Sequence, residues 1–440
     1  MNFVCLLSAR LPAPYLEWLP CSFGRKKPKI RSVSRLQIRT AGTVDDWALL
    51  RWTNGEGDAL SLAPPRAEET TTLPPAPFGI AYPALLKGVG RVYLWGDGFS
   101  TRTQQVVLER DLAERYLREA SALVRQYARR GAPMETAQER LQQAQTLYSE
   151  HQWAECLAAS VAAAEASVVS LARARLARMH GRTAFLWGVW VEEPADGEAT
   201  LAALAPPLNL ITFRKLDPSR GRCPLLQQAQ GMRAAVAAFW AECDLFPQSV
   251  DALRNAIAAY RGSVRYWNIV AHLHRCEPSE PLTQRIGALC EAGRDTDFGI
   301  VRLLHGAHSF YEASSPYALL MQCTEAGVPY EAVHLEWRWY DGTLYDLDHL
   351  LERYGELGKP IHLSISLPLE EGYSVFSRDE PLAWVEQACL IALSKAYVVA
   401  LQVPLRATAS SAGALGADGQ PSAYWQQIAQ VAAWNAVMLD

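Results

Sequence analysis

Lysine is scarce in this chain. Seven lysines stand against 35 arginines, a skew that genome base composition produces, and no function is read into it. Net charge is also low: 42 basic residues face 46 acidic ones, −4 at pH 7, so the chain lacks the basic excess with which a protein grips nucleic acid. No run of 18 apolar residues occurs, and no membrane-spanning helix is expected. The N-terminus is a poor secretory signal. Its apolar run over 3–7 is short, no early positive charge precedes it, and Arg10, Pro12 and Pro14 interrupt the stretch after it. The nine cysteines contain no CxxC pair and are odd in number, so buried free thiols in a reducing, cytoplasmic compartment are expected, with neither a zinc site nor a disulfide framework.

The chain does have length and apolar mass. At 440 residues it is long enough for two or three domains, and with half its residues hydrophobic and a fifth charged it is globular. Its 14 tryptophans and 17 tyrosines suit a deep core, or surfaces that stack on sugars. Residues 1–31, ending in Arg25-Lys26-Lys27 and Lys29, read as a loosely held leader. Residues 32–105 read as a small, sandwich-like β domain. Strands are expected over 33–38, 47–52, 60–62 and 91–95, with turns at Asn54-Gly55 and Asp97-Gly98 and a Pro/Thr-rich loop over 64–83. Residues 106–181 carry apolar positions at helical spacing, broken at Gly131-Ala132-Pro133, and read as an antiparallel helical connector whose second segment is long enough for two helices.

From 182 to 440 the pattern alternates. Strands are predicted over 185–191, 208–213, 234–240, 264–272, 299–304, 332–337, 360–366 and 397–403. Helices are predicted over 250–260, 282–290, 316–326, 347–357, 382–394 and 424–438. Eight strands nearly all separated by helices make a (β/α)8 barrel, with a doubly wound sheet as the alternative. The first strand runs on through Trp190-Val191-Glu192 with no glycine-rich phosphate loop, so a dinucleotide site has no support, and no cofactor is implied.

In such a barrel chemistry sits at the C-terminal ends of the strands, and those ends carry a resemblance. Val264-Arg265-Tyr266-Trp267-Asn268-Ile269-Val270-Ala271-His272 resembles the fourth strand of the family-10 glycoside hydrolases, the xylanase-type barrels. Gly327-Val328-Pro329 through His334-Leu335-Glu336-Trp337-Arg338 is similar to their sixth strand. Gly358-Lys359-Pro360-Ile361-His362-Leu363-Ser364-Ile365 resembles the seventh, and Gly416-Ala417-Asp418-Gly419-Gln420-Pro421 their closing segment. Leu208-Asn209-Leu210-Ile211-Thr212 with Leu216-Asp217-Pro218 is similar to their second strand and its loop, so the resemblance covers about residues 183–440. Bacterial relatives also carry a small β domain and a helical segment upstream, a junction similar to 90–113 here.

The resemblance implies β-glycan hydrolysis by two carboxylates at the ends of strands four and seven. Those positions are His272 and Ile365, so no catalytic residue is carried over. The sixth-strand Gln and His of the family correspond to Glu336 and Arg338, and the two strand-eight tryptophans to Ala400 and Leu401. Trp267, His272, His274, His305, Glu336, Arg338 and His362 are the candidate mouth residues. His272 and His274 share a face if the strand continues through them. No metal is expected. Glu336, Asp341, Asp346, Glu370 and Glu371 are the carboxylates from which a relocated pair could be drawn, with Asp346 read as a helix N-cap. Trp337, Trp339 and Tyr340 offer either a sugar platform or packing under a loop or partner. The expected function is a catalytically degenerate relative of these hydrolases that binds a β-glycan, an oligosaccharide or a protein. An active hydrolase with relocated carboxylates and a structural subunit of a larger assembly are the alternatives. Nucleic acid is not an expected partner.

Overall fold

The computed structural model describes residues 36–39, 47–65, 73–100, 103, 105–182, 184–192, 201–214, 216, 223–239, 250–369 and 375–438. The expected leader, Lys215 and the Glu370-Glu371 pair lie outside them.

The chain's second half closes on itself. β6 (Leu186–Val191), β7 (Leu210–Phe213), β8 (Ala235–Phe239), β9 (Tyr266–Val270), β10 (Val301–His308), β11 (Ala332–Trp337), β12 (Ile361–Ile365) and β13 (Val398–Pro404) form a closed barrel in chain order, every neighbouring pair parallel. These strands are nearly continuous apolar runs because parallel strands under a helical shell are buried on both faces. All eight fall within or overlap their predicted spans. Closure joins β13 to β6, and there Gly188 has a packing role: a Cβ would meet the Cβ atoms of Gln402 and Leu210 at 3.1 Å. The shell consists of α4 (Pro224–Gly231), α5 (Val250–Ala259), α6 (Glu280–Thr296), α7 (Tyr317–Glu325), α8 (Leu344–Gly355), α9 (Pro381–Leu393) and α10 (Ala423–Val437). α4 is short, carries no long apolar stripe, and was not among the predicted helices. α8 starts three residues before its predicted start: Thr343 is its N-cap, and Asp346 sits at the third helical position of a reciprocal capping box.

Upstream, α1 (Leu108–Arg129), α2 (Glu135–Ser149) and α3 (Trp153–Met179) pack together, with α3 also lying against α8 and α9. By length and composition α3 could cross a membrane. Here it is the central helix of the connector, rich in alanine because α1 and α2 approach it closely. It is pinned to the barrel by Arg173–Glu386 at 3.1 Å and Arg175–Glu352 at 3.2 Å.

The N-terminal part holds two small sheets. β1 (Gln37–Arg39) pairs with β5 (Gln105–Val107) in parallel. β2 (Arg51–Asn54), β3 (Phe78–Leu86) and β4 (Gly90–Phe99) form an antiparallel sheet. Several expectations are corrected here. Residues 47–49 make a 3-10 turn, 60–62 are not a strand, and the expected loop over 64–83 gives way to β3 from Phe78, with Pro83 inside the strand opposite Tyr93. A proline removes only its own N–H from a ladder, and the apolar run before it carries the strand. The β3–β4 turn centres on Gly88 (φ +82°) rather than Asp97-Gly98, which lies within β4.

The expectation of nine free thiols is also overturned. Cys276 is disulfide-bonded, while Cys156, Cys290, Cys323 and Cys389 are free thiols. Cys5, Cys21 and Cys243 lie outside the described residues. Sequence spacing does not report which thiols the fold brings together.

Candidate functional site

The barrel interior is stratified. Its floor is a small apolar cluster of Leu210, Ala237 and Ala400 with Leu186, Ala235 and Tyr266. Above it a polar network crosses the lumen, joining β7 to β13, β13 to β11 and β11 to β9, pairs of strands that are not neighbours. Thr212 on β7 donates to Gln402 Oε1 on β13 at 2.5 Å. Gln402 Nε2 lies 2.9 Å from His334 Nε2 on β11, and Ser364 Oγ on β12 lies 2.7 Å from the same nitrogen. His334 Nδ1 is 2.8 Å from Asn268 Oδ1 on β9, and Asn268 Nδ2 donates to the Ala238 carbonyl at 3.4 Å. An amide oxygen can only accept, so the proton of His334 sits on Nδ1 and its Nε2 accepts. Burial first, then His305 and His362, keep this imidazole neutral by holding its pKa well below the usual histidine range. His362 lies lower, buried against Tyr266 at 4.9 Å between ring centres.

Over this layer sits the mouth. β9 ends at Val270, and His272 adopts a left-handed conformation (φ 57°, ψ 38°) that turns the chain into a short 3-10 helix. His272 and His274 are therefore not successive residues of one strand face. The backbone N–H of His272 donates to His305 Nδ1 at 3.2 Å, and that of Ala307 to His274 Nδ1 at 2.8 Å. Both imidazoles thus carry their proton on Nε2. His305 Nε2 faces Glu336 at 3.5 Å, an electrostatic contact rather than a hydrogen bond, and His274 Nε2 faces Glu312 at 3.6 Å. The rings of His272 and His274 lie 5.5 Å apart, those of His272 and His305 5.2 Å, and those of His305 and His334 4.8 Å. Burial, followed by the neighbouring histidines, pulls His272 and His274 down to about 3, and burial lowers His305. All are neutral at pH 7.

The mouth carboxylates are tied into an ion-pair chain. Arg214, at the end of β7, donates to Glu336 Oε2 at 2.7 Å, reaches Glu192 at 3.4 Å and lies 4.1 Å above the ring of Trp190. Arg338 lies 3.9 Å from Glu336 and donates to Glu312 at 2.6 Å. Burial alone would raise the Glu336 carboxyl. Arg214 first, then His305 and Arg338, outweigh burial and hold it well below the carboxylate range. Glu336 is thus ionised and committed.

The two strand-end positions hold His272 and a fully buried Ile365, the latter in register with Trp337. Trp267 faces the helical shell, 6.4 Å from Tyr260, and does not reach the mouth. Trp337, Trp339 and Tyr340 are all buried: Trp337 stacks on His308, and Tyr340 on Phe376 at 4.6 Å. They fill space under the rim and present no ring face to a sugar. Asp341 is fully buried, and burial raises its carboxyl to about 7; Asp346 is engaged at the start of α8. Among the described residues, no group of three or more His, Cys, Asp or Glu side chains is arranged to hold a metal ion. The structure therefore gathers His272, His274, His305, Glu336 and Arg338 at the mouth and places Trp267 and His362 elsewhere. Sequence reading missed Arg214, Glu192 and Glu312, and the network of Thr212, Asn268, Ser364 and Gln402. The one signal for them was alternation: Thr212 and Asn268 are polar inward positions in otherwise apolar strands.

No protein-family model matches the chain, and no curated protein does. Among solved structures it is similar to a family-10 endoxylanase retrieved from a sugarcane soil metagenome, at 11% identity over 56% of this chain and 97% of that one, with a TM-score of 0.44. An endo-1,4-beta-xylanase from Caldicellulosiruptor owensensis is similar at 13% identity over 57% and 98%, TM-score 0.43. A family-10 xylanase from Thermobacillus composti is similar at 14% identity over 56% and 97%, TM-score 0.42.

Proposed function

We propose that this protein is a non-hydrolytic, glycoside-hydrolase-like barrel whose role is binding, of an oligosaccharide or of a protein, rather than cleavage of a glycan. The observation that carries this reading is the state of the two strand-end positions: a neutral histidine and an isoleucine that no solvent reaches. Retaining hydrolysis needs one carboxylate to attack the anomeric carbon and one carboxylic acid to protonate the leaving oxygen, with the two roughly 5–5.5 Å apart. Glu336 supplies a carboxylate, but one held by Arg214 and flanked by a neutral imidazole, and the other mouth acids described, Glu192 and Glu312, are themselves paired with Arg214 and Arg338. The mouth charges satisfy one another, which leaves a rigid polar surface and no reactive group. The test is hydrolysis of xylan and of an activated aryl-xyloside by the purified protein. The expected result is no turnover above that of Glu336→Ala. Robust turnover that this substitution abolishes would replace the proposal with a relocated active site.

A further inference from the structure

The three-stranded sheet sits on the barrel rim. Its two edge strands, β4 and β2, meet loops that come after three consecutive barrel strands. Arg51 donates to the Tyr311 carbonyl at 3.2 Å, after β10. The Tyr93 N–H donates to the Tyr340 carbonyl at 2.9 Å, after β11. After β12, the N–H groups of Ser377 and Asp379 donate to the carbonyls of Arg91 and Val89 at 3.2 and 3.0 Å. The fit is close, since a Cβ on Gly90 would stand 2.3 Å from the Ser377 carbonyl oxygen. The ring of Tyr93 packs on Phe310 and Phe376 at 5.6 and 5.3 Å.

Under this seam lies a carboxyl with no salt-bridge partner among the described residues. Asp341 Oδ1 accepts from Ser309 Oγ and the Phe310 N–H at 3.1 Å each, while its Oδ2 is buried without a partner. Around it stand Arg338, Glu312 and Tyr311 on the rim, and Tyr93, itself beside Arg51, on the sheet. We propose that the small sheet is a releasable cover on the barrel rim and that a proton on Asp341 holds it in place. Ionising this group while the sheet is docked strands a charge in an apolar seam; once the sheet lifts, water solvates it.

The sign is set by linkage. Burial, against Arg338 and Ser309, raises the docked carboxyl to about 7. An exposed aspartate titrates near ~3.9. The proton therefore favours docking most at low pH, its contribution fades as pH rises toward 7, and above that it is flat. From these values the opening equilibrium rises roughly 50-fold between pH 5 and pH 7 through Asp341 alone. His308 lies on the same seam, with Nδ1 4.0 Å from Asp58, and burial lowers it to about 4, so acid favours release there. The comparison must therefore be between wild type and Asp341→Asn, in which His308 is unchanged.

The experiment is amide hydrogen exchange, corrected for intrinsic rates, at Tyr93, Ser377 and Asp379, with the Val333 amide inside the barrel as reference. The wild-type to Asp341→Asn ratio of opening should rise roughly 50-fold from pH 5 to pH 7 at the three seam amides and stay constant at Val333. A ratio that does not move, or that moves equally at Val333, would overturn the proposal. Carbon-13 titration of the Asp341 carboxyl in the wild-type protein gives a second readout that needs no variant: a midpoint in the ordinary aspartate range would refute it.

Discussion

His362 is the sharpest probe of whether the barrel interior is dry. It is 2% exposed, and burial alone lowers its pKa to about 4. In the unfolded chain it titrates near ~6.5. These two values set both sign and size. Between them the unfolded state holds a proton that the folded state refuses, so stability falls as pH drops through that window. At pH 7 the linkage is worth about 0.2 kcal/mol and at pH 5 about 2 kcal/mol, so acidification costs about 1.8 kcal/mol at this one residue. His362→Leu removes the titration and leaves an apolar side chain against Tyr266. Urea unfolding of both proteins at pH 7 and pH 5 gives two stability differences. Their change should be about 1.8 kcal/mol in favour of the variant at the lower pH, whatever the absolute effect of the substitution at pH 7. Using the difference of differences cancels Asp341 and the buried histidines that His362 does not influence; His334, which His362 also helps to hold down, is kept neutral in the variant by burial and His305. A change below about 0.5 kcal/mol would mean that His362 ionises with little penalty, that water enters the barrel, and that a closed mouth is the wrong description.

Glu336→Gln should destabilise the protein by about 3 kcal/mol in chemical denaturation, because Arg214 is left inside the mouth with the half-exposed Glu192 as its one remaining acidic partner among the described residues; a change under about 1 kcal/mol would show the pair to be solvated. Restoring the carboxylate pair with His272→Glu and Ile365→Glu should yield little or no hydrolysis of an aryl-xyloside, and should lower stability by about 4 kcal/mol or more, since position 365 is fully buried. Activity near that of an ordinary xylanase would show the rest of the site to be intact. Peptide mapping under non-reducing conditions should find Cys276 in a cross-linked peptide, with Cys156, Cys290, Cys323 and Cys389 unlinked.

The barrel was legible because its signal is local and repeated. A strand such as Val398–Pro404 is apolar but for Gln402 and is succeeded by a helix with its own period, and among the described residues seven of the eight barrel strands are followed by an α-helix. The N-terminal part was far less so. β3 and β4 are held by the rim loops as well as by each other, so their boundaries answer to Tyr340 and Ser377, which lie hundreds of residues away in sequence. The histidines could be named but not placed. A left-handed residue at 272 is invisible in a pattern that reads Val270-Ala271-His272 as continuing strand, yet that single backbone conformation decides that His272 points its N–H at His305.

The residues at the two strand-end positions, His272 and Ile365, were legible one at a time; the pairing around them was not. Arg214 and Glu336 are 122 residues apart, and nothing in either local sequence announces the other. Their pairing ties the mouth positions to one another electrostatically. With Ile365 supplying no negative charge, the arginine at the end of β7 has one buried counter-ion among the described residues, Glu336, and the histidines around it, neutral or cationic, can supply none. Reintroducing a carboxylate at 272 or 365 would set it in competition with Glu336 for that cation. One substitution at the mouth therefore does not act alone: each charge there is part of the electrostatic environment of the others.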